Sequence, residues 1–182
     1  MAAVANPYAG DLGNLDARKI VAESAHELIR LEEQLGVDGL ERSIAPGKWT
    51  ARMILCHLVD CEIAFGFRLR QALAEPHHVI QPFDQDAWSA RYHDASLSGR
   101  TALQVFAALR GWNLVLLNSL PKAAFSKPLS HPERGEMTVH TIVETMAGHD
   151  LHHLEQLRAI AEATGLSLMA ARAIRGGKEP HP

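Results

Sequence analysis

Cysteine is scarce in this chain of 182 residues, which contains only Cys56 and Cys61. The two lie five positions apart in a helical pattern, so their side chains point in different directions and an intra-helix disulfide is disfavoured. Small secreted scaffolds built on disulfides have a far higher cysteine content. The sequence therefore favours a protein of the reducing cytoplasm.

Long apolar runs and an excess of basic residues are also missing. No stretch approaches the roughly 20 consecutive apolar residues of a membrane-spanning helix, and the first residues lack the basic region and apolar core of a signal peptide. The 18 lysines and arginines are outnumbered by 21 aspartates and glutamates, which gives a formal net charge of -3. Because nucleic-acid-binding surfaces need clustered lysine and arginine, we expect neither a nucleic acid nor a membrane as a partner.

Apolar residues make up 47% of the chain and recur at helical spacing in four long segments. Thr50 and Ser98 stand where helix N-caps are expected, and Pro76 and Pro121 follow the ends of two segments. The predicted helices span roughly residues 15–34, 51–75, 99–120 and 138–165. No segment shows a convincing β-strand pattern. We predict an all-α fold, a four-helix bundle, in a single domain over residues 10–170.

The connection between the second and third predicted helices, residues 76–97, is long for a bundle, in which about 2–8 residues are usual. A short helix is predicted within it, in the sequence DQDAWSARY. This length indicates a long crossover connection between helices 2 and 3. Residues 121–137 are predicted to form a second, proline-rich loop, residues 166–174 to add a short helix, and the tail at 175–182 to be disordered.

Histidine is the one residue type in clear excess, with 11 copies, and three of them form the run HDLHH at residues 149–153. Residues four apart are neighbours on a helix face. With about 100° of rotation per residue, His149 and His153 face the apolar interior, whereas His152 points away from it. The pair is therefore able to offer two imidazoles to one metal ion.

A third inward histidine, His57, lies on the second predicted helix among small residues that leave room for a metal and a ligand. A single histidine on an apolar face is more often a hydrogen-bonded core residue than a ligand, but three on facing helices favour a metal site. Three imidazoles leave a coordination position open, as in catalytic zinc sites. Asp60 and Arg68 flank the same face, and the long stem of Arg68 predicts that its guanidinium lies at the rim.

Acidic residues near these histidines are candidates for catalysis. Asp150 also faces inward, and a carboxylate at this place is a candidate acceptor for an imidazole N–H. Asp60 and Asp150 are the candidate catalytic residues, and Glu62 is a further candidate for proton handling or orientation. An unpaired carboxylate inside an apolar bundle is costly, so we expect each of them to have a partner.

Three segments resemble the DinB-like metal-dependent bundle proteins (the DinB/YfiT-like fold): WTARMILCHLVD at 49–60, FDQDAW at 83–88 and HDLHHLEQLRAI at 149–160. The two histidine-bearing segments are the more specific ones. The resemblance implies a divalent metal ion held near one end of the bundle by His57, His149 and His153. It implies zinc or nickel first, with iron or manganese as alternatives, and it implies that the protein is a homodimer.

The resemblance also implies an activity on a small-molecule substrate. The first expectation is a thiol-dependent S-transferase, in which a low-molecular-weight thiol such as bacillithiol or mycothiol attacks a small electrophile as the thiolate. One alternative is a hydrolase that uses a metal-bound hydroxide. Another is a non-catalytic, stress-linked bundle that only binds a metal.

Other metal-site classes fit the sequence less well. The run HDLHH is similar to the HExxH motif of zinc proteases, but its acidic residue, Asp150, is one methylene shorter than glutamate and no third ligand follows it. A phosphohydrolase of the His-Asp type needs a later aspartate, and none follows Asp150. A di-iron bundle needs more inward carboxylates than this chain offers.

Overall fold

The computed structural model describes residues 6–92, 97–163 and 165 of the chain. Four long helices form the predicted bundle, and the predicted helix at 166–174 and tail at 175–182 lie outside the described residues. In chain order the elements are α1 (Ala9–Leu12), α2 (Ala17–Leu40), α3 (Ala51–Ala74), α4 (Gln85–Ser89), a 3-10 turn (Ala90–Tyr92), α5 (Gly99–Ser119), a 3-10 turn (Lys122–Ser126), β1 (Pro128–His131), β2 (Gly135–Thr138) and α6 (Val139–Ala163).

The long helices begin at residues that the sequence marks as caps. Thr50 Oγ1 accepts the backbone N–H of Met53 at 3.2 Å and so begins α3, and Ser98 caps α5 in the same way. At Gly36, two residues after the predicted end of the first helix, α2 has a φ of 62°. This left-handed conformation suits glycine, and after the kink the helix resumes and ends at Leu40.

Two apolar clusters form the core and enclose a polar layer between them. Along α3 and α6, one cluster contains Phe65 and Met146 and the other contains Leu58 and Leu157. The buried carboxylates of both helices and the two buried histidines of α6 lie between these positions, and His57 directly precedes Leu58. Close packing on either side holds the two helices in a fixed relation, so the polar side chains meet with defined geometry. No helix within the described residues has both the length and the apolarity that a membrane crossing requires.

The absence of strands was a wrong prediction, because part of the predicted loop at 121–137 is a β-hairpin. Its strands pair antiparallel, with Leu129 opposite Met137, and both side chains are buried in the core. Strands of four residues are too short for alternating hydrophobicity to show, which is why the pattern was missed. Ile80 N–H donates to Ser130 O at 2.8 Å, so the hairpin also holds the long connection between α3 and α5.

Candidate metal centre

Three imidazoles converge in the polar layer of the bundle. His149 and His153 lie one turn apart on α6, and His57 reaches them from α3. The Nε2 atom of His149 is 3.1 Å from Nε2 of His57 and 3.2 Å from Nε2 of His153. All three side chains are buried. The structure therefore brings together the residues that the sequence selects as metal ligands.

These distances match those of nitrogens around one metal ion. Zinc–nitrogen bonds of about 2.0–2.1 Å place two ligands of a tetrahedral ion about 3.3 Å apart. Without an ion, the Nε2 of His149 carries either one hydrogen or one lone pair, so it is unable to complete good hydrogen bonds to both neighbours. A divalent cation satisfies all three nitrogens, so the residues present fit such an ion.

The protonation state of the three rings also suits metal binding. Burial lowers the pKa of His57 to about 3 and the pKa of His153 to about 4. Burial, with the neighbouring rings adding to it, lowers the pKa of His149 well below its ordinary value. At neutral pH the imidazoles are therefore neutral, which is the form that coordinates a metal.

A hydrogen-bonded chain orients His153 from outside the site. Its Nδ1 donates to Gln156 Oε1 at 2.8 Å, which leaves the Nε2 lone pair free to coordinate. Gln156 Nε2 donates to His152 Nε2 at 3.1 Å, and His152 Nδ1 donates to Asp11 Oδ1 at 3.2 Å. Gln156 was not predicted as part of the site, although its position three residues after His153 is a usable signal. Asp11 was not predicted either, because no local pattern connects it to α6.

Cys61 lies beside the imidazoles on the same helix as His57. Its Sγ is 3.5 Å from His57 Nε2, and donor atoms of Cys61, His57 and His149 lie within 4.8 Å of one another. Burial raises the pKa of the Cys61 thiol, and the nearby Asp60 carboxylate raises it further. The thiol is therefore protonated at neutral pH in the absence of a cation.

Aromatic rings cover the imidazoles. The Trp49 ring lies 4.9 Å from that of His57, and the Tyr8 ring meets His149 edge-on at 5.2 Å. Gly148 permits this approach, because a Cβ at this position would lie 2.5 Å from the backbone oxygen of Tyr8. Tyr8 was not predicted as part of the site, because it directly precedes α1, which is too short to show a periodic pattern.

A buried charge network lies directly beside the imidazoles. Arg110 of α5 donates two hydrogen bonds to Glu62 of α3, at 2.8 and 3.0 Å, and two to Asp150 of α6, at 2.6 and 3.1 Å. Ser24 of α2 also donates to Asp150, at 2.7 Å. The network joins all four long helices. The carboxylate of Asp150 thus accepts from Arg110 and Ser24, where the sequence predicts an imidazole donor, and the candidate Asp60 is buried on α3.

One cavity adjoins the imidazoles. It has a volume of about 220 Å³, and both His149 and Cys61 line it. Arg68, which the sequence places at the rim, lines it as well and is half-buried. A larger cavity of about 620 Å³ opens beside Trp49 on the other side. Because the smaller cavity alone of these two is lined by candidate metal ligands, we treat it as the access to the site.

Comparisons with known proteins identify a family and relatives whose names describe metal-dependent hydrolases. A family model described as "DinB superfamily" matches residues 21–157. A protein of Oceanobacillus iheyensis named "Putative metal-dependent hydrolase" is 27% identical over 159 residues, which make up 85% of this chain and 91% of that protein. A protein of Bacillus mycoides with the same description is 28% identical over 142 residues, or 78% of this chain and 82% of that protein.

A solved structure shares the fold. YfiT from Bacillus subtilis, described as "a probable metal-dependent hydrolase with an unusual four-helix bundle topology", superimposes with a TM-score of 0.75. The match covers 82% of this chain and 86% of that chain at 23% sequence identity. At this identity the likeness concerns the fold alone, and it confirms the predicted four-helix bundle.

Proposed function

The chain belongs to the DinB superfamily, and from this premise we propose that it is a metal-dependent hydrolase in which His57, His149 and His153 hold one divalent cation. The observation that carries the proposal is the approach of two imidazole Nε2 atoms to within 3.2 Å of the Nε2 of His149. The names of the relatives support hydrolysis over thiol transfer. The hydrolase alternative therefore takes precedence over the S-transferase expected from the sequence.

The histidines have the ligand role in this proposal. Three protein ligands are one fewer than a closed structural zinc site contains, so a substrate has room to bind. When bound, the cation supplies Lewis acidity toward a substrate oxygen and makes water a stronger nucleophile. Imidazole donors favour the late first-row metals, so zinc and nickel remain our first proposals.

Neighbouring side chains orient the candidate ligands, and one of them supplies a hydrogen-bond donor. Gln156 fixes the ring of His153 through its Nδ1–H. Asp150, whose carboxylate is occupied by Arg110 and Ser24, has in our proposal a positioning role for the adjacent His149. Burial raises the pKa of Tyr8, so its hydroxyl keeps its proton and is available as a donor.

The substrate that we propose is a small molecule. The cavity beside His149 has a volume of about 220 Å³, which is below the about 300–1,000 Å³ of sites for drug-sized ligands. Its lining residues come from α3, α6, the hairpin, the segment before α1 and the connection that follows α3. A substrate in it therefore lies next to His149. Asp60 stays our candidate for proton handling because it is buried on α3 between His57 and Cys61.

Metal analysis of the untagged protein tests the ligand set. We expect about one late transition metal per chain in the wild type after purification without chelators, and loss of this metal in His57→Ala, His149→Ala and His153→Ala. His140→Ala is the matched control, because His140 is exposed on α6 and forms only an ion pair with Glu144. Wild type without stoichiometric metal, or histidine variants that keep it, would contradict the proposal.

A substrate panel then tests the reaction. Metal-loaded protein is assayed with small esters, amides and phosphate esters, with and without added low-molecular-weight thiols. We expect turnover that needs the metal and does not need a thiol. Turnover that appears only with a thiol would reject hydrolysis and restore the S-transferase.

A further inference from the structure

The cavity beside His149 is rich in hydrogen-bond donors. Arg68 reaches it from α3, and the hairpin brings His131, Glu133 and Arg134 to it. None of these four belongs to the candidate ligand set. They face the space that a substrate bound near the imidazoles would occupy.

Arg68 is held at the cavity by contacts with the connection that follows α3. Arg68 Nη2 donates to Gln81 O at 3.2 Å, and its guanidinium lies over the Phe83 ring at 5.4 Å. These contacts fix its position, and no other hydrogen-bond acceptor of the guanidinium is found in the part of the chain that the structure describes. Within the described residues, neither Arg68 nor Arg134 forms an ion pair.

The proximity of the two guanidinium groups is unfavourable on its own. The positive charge of Arg134 adds to the effect of burial in lowering the pKa of Arg68. Two half-buried cations in one small cavity repel each other unless an anion lies between them. Glu133 is the one carboxylate among the residues that line the cavity, and it is exposed.

Two neutral donors complete the lining. His131 is only 4% exposed, and its Nδ1 accepts the backbone N–H of Glu133 at 3.2 Å. The hydrogen of the neutral ring is therefore on Nε2, and no partner of this atom is found among the described residues. The Tyr8 hydroxyl is the second neutral donor. Charged and neutral donors in one place suit an oxyanion.

We propose that this cavity binds an anionic oxygen group of the substrate, a carboxylate or a phosphate, through Arg68 and Arg134. The identification of this anion with part of a substrate rests on the proposed function. It narrows the proposed substrates to small molecules that carry a negative charge next to the bond to be hydrolysed. Arg134 and Arg68 are binding residues in this proposal, while His131 and Tyr8 supply further hydrogen bonds.

Titration calorimetry with inorganic phosphate and with acetate tests the cavity directly. The protein is used as purified, at constant ionic strength, with metal content measured for every variant. We expect saturable binding of at least one anion, weakened about tenfold or more in Arg134→Gln and in Arg68→Gln through loss of charge-assisted hydrogen bonds. Arg134→Lys, which keeps the charge, should lose less. Arg30→Gln is the matched control, since Arg30 lies exposed on α2 and pairs with Glu27.

The outcomes separate this inference from the proposed function. Equal affinity in Arg134→Gln, Arg68→Gln and wild type, with equal metal content, overturns the anion site. Binding lost only in His149→Ala also overturns it, because the anion would then bind the metal alone. Arginine-dependent binding in a protein that hydrolyses nothing supports the anion site and counts against the hydrolase. The relative strength of phosphate and acetate binding distinguishes a phosphate from a carboxylate.

Discussion

Arg110 and Asp150 form an ion pair inside the bundle, with Nη1 at 2.6 Å from Oδ2, and each side chain is almost completely buried. Asp150 directly follows His149, so the pair joins α5 to the part of α6 that carries two of the candidate ligands. The same guanidinium is bound by Glu62. One cation between two buried carboxylates leaves the network with a formal charge of -1. The carboxylates therefore depend on Arg110.

Arg110→Met is expected to destabilise the protein strongly. The substitution leaves Glu62 and Asp150 buried without their cation, and breaking a buried pair in this way costs about 3–5 kcal/mol. Urea unfolding followed by circular dichroism measures the change in the free energy of unfolding. Arg158→Met is the matched control on the surface of α6, where 3.9 Å ion pairs to exposed glutamates contribute about 0–1 kcal/mol. If the two substitutions lowered the free energy of unfolding equally, the buried network would not stabilise the protein more than a surface ion pair does.

Gln156→Leu is expected to weaken metal binding without unfolding the protein. The substitution removes the acceptor of His153 Nδ1–H, and loss of such a partner typically costs about 10–100-fold in metal affinity. Competition with a chromophoric chelator measures the affinity. Gln156→Glu keeps an acceptor oxygen and should retain most of the metal affinity. Glu155→Leu is the matched control, because Glu155 is the exposed neighbour of Gln156 on α6. Unchanged affinity in Gln156→Leu would remove the orienting role from this residue.

The convergence of the three candidate ligands was predictable from sequence, because helical periodicity fixes which side of α6 each of its histidines faces. His149 and His153 fall on the buried side, and His152 reaches the surface and contacts Asp11. The choice of His57 as the third member needed only the assumption that α3 faces α6. The periodicity of regular helices thus predicts most of the candidate metal centre.

The rest of the site was not predictable because it depends on contacts between distant parts of the chain. In the sequence, Arg110 resembles an ordinary solvated residue of an amphipathic helix. In the structure, α3 and α6 pack around it and bury its side chain. Tyr8 and Asp11 lie in or next to a helix of four residues, too short for any periodicity. His131 and Arg134 belong to strands and a turn whose pairing a local pattern does not reveal.

Cys61→Ser is expected to retain the metal, and this outcome separates an open site from a closed one. The Cys61 sulfur is 3.5 Å from His57 Nε2, which is near enough for both atoms to bind one ion. Burial and the Asp60 carboxylate raise the pKa of the thiol, so it is unfavourable as a thiolate ligand, and we expect the three histidines to suffice. Affinity measured by chelator competition should fall by less than about tenfold, below the usual range even for residues that only support a ligand. Cys56→Ser is the matched control, because Cys56 is also buried on α3 and is outside the group of candidate donors. A loss as large as that in His149→Ala, with Cys56→Ser unaffected, would identify Cys61 as a fourth ligand and the site as a closed structural one.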